Sequence, residues 1–100
     1  MRITHLFGEE SYVKEIQLNP GEVIGKHVHD FDHISVLLMG SAYIKIGGIT
    51  RFAKAPFALK VEAGVEHEVT AITKAVWLCT HVTDCKDADE IDNVLTRKAT

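Results

Sequence analysis

Residues 21–40 read GEVIGKHVHDFDHISVLLMG and hold three histidines, His27, His29 and His33, between two glycines. In a β-strand, residues i and i+2 project to the same face, so His27 and His29 can direct their imidazoles to one point. His33 follows a short bend at 30–32 and begins the next apolar run. This stretch therefore predicts two strands that can bring three imidazoles together.

A fourth histidine, His67, also stands just past a turn at the head of a predicted strand. In a closed barrel such strand heads can converge on one interior point. Imidazole is the commonest metal ligand, and several imidazoles without a nearby thiolate suit Mn, Fe, Ni, Cu or Zn. A histidine pair of this spacing is equally typical of exposed strand residues, so the histidines alone leave both interpretations open.

The rest of the chain predicts short strands separated by turns. Asn-Pro-Gly-Glu at 19–22, Gly47-Gly48 and Glu-Ala-Gly at 62–64 are turn sequences. Strands are predicted at 11–18, 23–29, 33–39, 42–46, 50–52, 57–61, 67–72 and 75–82. Many short strands at close spacing predict an all-β sandwich or barrel.

The last segment predicts a short helix instead. Asp84 or Asp87 can cap its start. Its apolar residues fall at helical spacing: Ala88, Ile91, Val94 and Leu95. We expect this stripe to dock on the barrel or on a second subunit.

Composition excludes several classes of protein. The chain has 100 residues with a net charge of −3, and 46% of the residues are hydrophobic, so one soluble domain over residues 1–100 is expected. No basic cluster predicts nucleic-acid binding, and no segment resembles a signal peptide or a membrane span. Cys79 and Cys85 are too few for a disulfide scaffold and are expected to stay reduced, in the cytoplasm.

The histidine spacing resembles the first motif of the cupin superfamily. That motif reads glycine, five residues, His-x-His, three or four residues, glutamate, six residues and glycine. Gly21, His27, His29 and Gly40 match it, and His33 occupies the glutamate position. The resemblance implies a small cupin, an all-β double-stranded β-helix (jelly-roll) barrel with a short C-terminal helix.

The second cupin motif, Pro-x-Gly-x2-His-x3-Asn, resembles residues 62–71. Gly64 and His67 match this motif, whereas Glu62 and Ala71 replace its proline and asparagine. The interval between the two motifs is short, as in small cupins of one domain.

By this resemblance His27, His29 and His67 ligate one divalent first-row metal, such as Fe, Mn, Ni or Zn. His33 is either a fourth ligand, which is favoured, or a pocket residue beside a three-histidine metal. Four neutral imidazoles leave a metal more electron-poor than a set containing glutamate. An octahedral metal would keep two positions open for water, O₂ or a substrate, whereas tetrahedral zinc with four histidines would be closed and structural.

Residues in phase with the histidines are candidates for lining a pocket. The predicted strand 33–39 begins at His33, and alternate residues along it share one face. We therefore expect Ser35, Leu37 and Met39 to face the interior with His33. His81 shares a strand face with Trp77 and could act in proton transfer if that face is inward. A position at the barrel rim is the favoured interpretation of His81.

The remaining candidates are interpreted structurally. Glu66 alternates away from His67 and is expected at the surface, and His5 is assigned no role. Core packing is favoured over pocket lining for the aromatic residues Phe31, Tyr43, Phe52, Phe57 and Trp77.

Three functions remain open at this point. The first is a metal-dependent, dioxygenase-like enzyme that uses Fe or Mn on a small molecule. The second is a cupin that binds or senses a small ligand without turnover, and the third and weaker one is an isomerase or lyase. A homodimer is expected because small cupins commonly pair through their sheets.

Overall fold

Alternation of apolar and polar residues places most of the chain in strands. The structure, a computed structural model, describes residues 1–98. Its strands are β1 (Arg2–Gly8), β2 (Ser11–Leu18), β3 (Val23–His29), β4 (His33–Met39), β5 (Ser41–Ile46), β6 (Ile49–Lys54), β7 (Phe57–Val61), β8 (His67–Ala71), β9 (Ala75–His81) and β10 (Thr96–Lys98). A short helix, α1 (Ile91–Leu95), precedes β10.

The strands form two antiparallel sheets of five. The first sheet has the order β1-β2-β9-β4-β7 and the second has the order β10-β3-β8-β5-β6. Inward side chains from both sheets form one apolar core, which includes Leu37 and Trp77 from the first sheet and Ile44 and Val69 from the second. The predicted all-β jelly roll with a short C-terminal helix is confirmed.

The two ends of the chain differ from the prediction. β1 was not predicted, yet it pairs with β2 along its whole length, from Arg2 opposite Gln17 to Gly8 opposite Ser11. The helix is shorter than expected, because the chain continues as β10 and pairs with the edge of β3. This pairing provides hydrogen-bond partners for backbone groups of β3, which would stay unpaired at the sheet edge if the helix were longer. The predicted apolar stripe is only partly buried: Ile91 and Leu95 pack inward and Val94 is exposed.

The turn after β4 requires a glycine, as the motif spacing suggested. Gly40 has a φ of +85°, a conformation that side chains other than glycine rarely adopt. A Cβ at this position would also clash with the backbone oxygen of Lys74. Gly40 therefore fixes the crossing from the first sheet to the second.

No helix among the described residues combines the length and the apolar character needed to cross a bilayer.

Candidate metal centre

Five histidines meet between the two sheets, where four strand ends come together. His27 and His29 come from the end of β3, and His67 comes from the start of β8. The other sheet supplies His33 at the start of β4 and His81 at the end of β9. The predicted convergence of strand heads is observed, and it brings in one histidine more than the motifs name.

Three of these residues form a first triad: His27, His29 and His67. One ring nitrogen of each lies within 4.8 Å of the corresponding atoms of the other two. His27 and His67 are direct partners in the β3–β8 pairing, with ring centroids 3.9 Å apart. A β-bulge between Ile24 and His27 turns the end of β3 toward the site.

Backbone carbonyls fix the orientation of all three rings in the first triad. The Nδ1–H of His27 donates to the Gly25 oxygen at 2.8 Å, and that of His29 donates to the Leu95 oxygen at 2.7 Å. His67 Nδ1 lies 3.3 Å from the Val65 oxygen. Because a carbonyl can only accept, Nδ1 carries the proton and Nε2 is left as the ligand atom.

The first triad fits a first-row divalent metal. The Nε2 atom of His67 is buried and has no hydrogen-bond partner among the described residues. Leaving such an acceptor unpaired costs free energy that coordination would recover. Neutral imidazoles at this spacing are suitable ligands for Fe, Mn, Ni or Zn.

His33 lies next to the first triad but makes different contacts. Its ring centroid is 4.4 Å from that of His29 and 5.4 Å from that of His67. The side chain is 4% exposed, and neither ring nitrogen has a hydrogen-bond partner within residues 1–98. The arrangement therefore leaves both nitrogens of His33 available as ligands.

His81 is a member of the cluster, so its interpretation as a rim residue is wrong. It is 6% exposed, and its ring centroid lies 4.7 Å from that of His33 and 4.8 Å from that of His29. These three histidines form a second triad, with candidate ligand nitrogens within 4.8 Å of one another. His81 shares its strand face with Ala75, Trp77 and Cys79, all of them buried.

The other predicted pocket residues lie elsewhere. Leu37 and Trp77 belong to the apolar core, and Ser35 is buried with its hydroxyl 3.8 Å from the Cys79 sulfur. Met39 was expected inside, but it is 50% exposed. A register shift between Leu37 and Met39 in the β4–β9 pairing breaks the alternation, so that expectation is wrong.

The aromatic residues divide between core and surface. Trp77 and the partly buried Phe57 pack in the core, as expected. Tyr43 and Phe52 face each other across β5 and β6 on the outer face, so their assignment to the core is wrong. Phe31 packs beside Tyr12 under the helix.

Burial keeps the clustered imidazoles neutral. Burial, with a smaller contribution from the neighbouring imidazoles, lowers the pKa of His33, His67 and His81 to about 3. Burial also lowers the pKa of His27 and His29. Metal ligation requires the neutral ring, so the free protein already holds the ligands in the required protonation state.

A cavity of about 290 Å³ opens beside the first triad, with His27 and His29 in its wall. Lys14 and Lys26 also line this cavity. The ammonium of Lys14 pairs with the Asp92 carboxylate of α1 at 2.9 Å. Lys14 was missed at the sequence level, although it alternates in phase with the inward residues of β2 and so could have been found.

Two other polar residues lie outside the cluster. Glu66 lies near the surface, where its carboxylate is 3.8 Å from the Lys26 ammonium. His5, which had no assigned role, has its Nδ1 atom 2.6 Å from the hydroxyl of buried Tyr12. Neither residue belongs to a triad.

No protein-family model and no curated protein sequence matches the chain. Solved structures, in contrast, do match the chain. A conserved protein with a double-stranded β-helix domain from Klebsiella pneumoniae is 18% identical with a TM-score of 0.77, covering 99% of this chain and 84% of that one. An RmlC-like cupin from Shewanella frigidimarina is 19% identical with a TM-score of 0.73, covering 85% and 77%. A predicted oxalate decarboxylase from Thermotoga maritima is 20% identical with a TM-score of 0.71, covering 81% and 78%.

These likenesses agree with the two-sheet topology described above and with the spacing of the two histidine motifs. The chain therefore has the cupin fold, a double-stranded β-helix.

Proposed function

We propose that the chain binds one divalent first-row metal, Fe or Mn, and uses it in a dioxygenase-like reaction on a small molecule. His27, His29 and His67 are the proposed ligands, with His33 as the fourth. The observation that carries the proposal is the common orientation of the first triad, in which backbone carbonyls hold Nδ1 and leave Nε2 for the metal. When bound, the metal supplies a Lewis acid with open positions for O₂ and substrate.

The surrounding residues support chemistry on a small substrate. The cavity of about 290 Å³ is near the lower end of small-molecule sites. Tyr12, Ile16 and Ile24 contribute to its walls and would exclude water from a bound ligand. Histidines at one end and Lys14 at its side give the cavity polar groups that can orient a substrate.

The function is tested with protein purified without a polyhistidine tag. Elemental analysis should give about one equivalent of Fe or Mn, and a screen of small carboxylates should detect substrate-dependent uptake of O₂. The control is the His27→Ala/His67→Ala variant, which should lose the uptake. Absence of metal from several independent preparations would contradict the proposal. Stoichiometric metal without O₂ uptake would favour the second candidate below.

The second candidate function is capture of a small anionic ligand without turnover. Lys14 supports it, because this cation projects from the inward face of β2 and its side chain is 21% exposed. Its carboxylate partner, Asp92, is more exposed and belongs to a short helix. A ligand carboxylate could therefore replace Asp92 as the partner of Lys14 while also binding the metal.

We expect Lys14→Met to weaken the binding of small carboxylates by about tenfold, since a hydrogen bond to a charged group contributes roughly 1.5–3 kcal/mol. Isothermal titration of the metal-loaded protein measures this. The matched control is Lys60→Met, which removes a similar lysine–aspartate pair, with Asp32, from the surface. Equal carboxylate affinity in Lys14→Met and wild type would show that Lys14 takes no part.

We also propose a homodimer that forms through the outer face of the first sheet. Ile34 and Leu38 of β4 and Leu6 of β1 are exposed there. A second copy is the proposed partner because the same apolar face on two subunits can meet about a two-fold axis. Sedimentation equilibrium would show a mass near 11.1 kDa if this is wrong.

A cytoplasmic location is proposed too, supported by the free thiols of Cys79 and Cys85.

A further inference from the structure

The second triad raises a question that the cupin motifs do not address. His29, His33 and His81 have candidate ligand nitrogens as close together as those of the first triad. All three side chains are buried. His81 lies outside both motifs, in β9, so the motif resemblance gives it no role.

We propose that this second triad is a second binding position for the same metal, offset from the first and sharing His29 with it. The proposal rests on the proposed metal function and adds to it an alternative location for the ion. A single ion would lie either among His27, His29 and His67, with His33 as the proposed fourth ligand, or among His29, His33 and His81.

Unpartnered ring nitrogens support the second position. Both nitrogens of His33 and the Nδ1 atom of His81 are buried without a hydrogen-bond partner among the described residues. Buried polar atoms are usually paired, and a metal at this position would pair one nitrogen of His33 and the Nδ1 atom of His81. Within residues 1–98, no carboxylate or thiol joins either triad, so the second position takes the same class of ion as the first.

Because both positions use His29, only one of them can hold an ion at a time. Its Nδ1 atom donates to the Leu95 oxygen, so only Nε2 can ligate. One lone pair cannot serve two ions at once. Full occupancy is therefore expected at one equivalent of metal.

Each position also has its own opening. His27 lies in the wall of the cavity that contains Lys14, whereas His33 lines a separate cleft with Phe31 and Asp32. His81 lines both openings. An ion at the second triad could thus also be reached through the cleft that His33 lines.

The test uses Co²⁺ titrations followed by its visible absorption. Wild type should bind one equivalent. The double variant His27→Ala/His67→Ala should still bind one equivalent of Co²⁺, with an affinity about 10–1000-fold lower than that of wild type. Adding His81→Ala to the double variant should lower the affinity at least a further hundredfold. The matched control adds His5→Ala to the double variant in place of His81→Ala and should change nothing.

Each outcome has a defined meaning. A folded double variant that binds no Co²⁺, or a triple variant that binds as well as the double variant, overturns the second position. Binding of two equivalents by wild type overturns the sharing of His29. If the double alanine variant does not fold, His27→Gln/His67→Gln keeps the side-chain volume and replaces it. Wild type that binds no Co²⁺ would instead contradict the proposed metal function itself.

Discussion

His29→Ala should weaken metal binding more than the same change at any other single histidine. His29 belongs to both triads, so its loss removes a ligand from either position. Loss of a residue that merely orients a ligand costs about 10–100-fold in affinity, and we expect loss of this ligand to cost on the order of 1000-fold or more. Competition with a chromophoric chelator measures the change directly.

The control for this prediction is His5→Ala, which makes the same substitution at a histidine outside the cluster. It should keep the wild-type affinity. His29 also donates to the Leu95 oxygen, so thermal unfolding of both variants in chelator is needed to separate loss of a ligand from loss of folding. His29→Ala that stays folded and binds metal as tightly as wild type would remove His29 from the proposed site.

The metal-free protein should lose stability steeply in acid. A histidine whose pKa is about 3 when folded and 6.5 when unfolded takes up protons preferentially on unfolding, so the free energy of unfolding falls as the pH drops from about 6.5 toward 3. Between pH 6 and pH 4, one such residue accounts for at most about 2.5 kcal/mol, and for less where solvent reaches the ring. Urea unfolding in chelator at several pH values measures the trend.

The variant that isolates this effect is His81→Phe, which fills the site with a ring that does not titrate. Its free energy of unfolding should fall less between pH 6 and pH 4 than that of wild type, because one buried imidazole is gone. An unchanged pH dependence would mean that the pKa of His81 is the same in the folded and unfolded protein, and so would contradict its lowering by burial. Addition of metal should restore stability in wild type near neutral pH, because metal binds only the folded, deprotonated site.

The sequence predicted the strands near the histidines well because their signals are local. β2, β3, β4 and β7 have the predicted bounds, since each is flanked by a turn sequence or a bend. β1 and β10 escaped prediction because pairing with a neighbouring strand, β2 and β3 respectively, sets their structure. The predicted helix was too long, because the observed helix ends where the chain begins to pair with the edge of β3.

The same division applies to the candidate site. Spacing made His27, His29 and His67 candidates, because a strand has a period of two and a turn precedes His67, and the resemblance to the cupin motifs implied that they are ligands. His81 could not be placed, since inward and outward faces of β9 look alike until the sheet closes. Met39 was misplaced because a β-bulge is invisible in the alternation of residues.

The sequence by itself determined the all-β class, the positions of the turns and the histidines of the two motifs, because these follow from local backbone preferences and strand periodicity. Only the tertiary structure decided that five imidazoles meet, that a cavity lined by Lys14 opens beside them and that His29 belongs to two triads. Those facts depend on the register between strands far apart in the chain and on the packing of one sheet against the other, which no short stretch of sequence encodes.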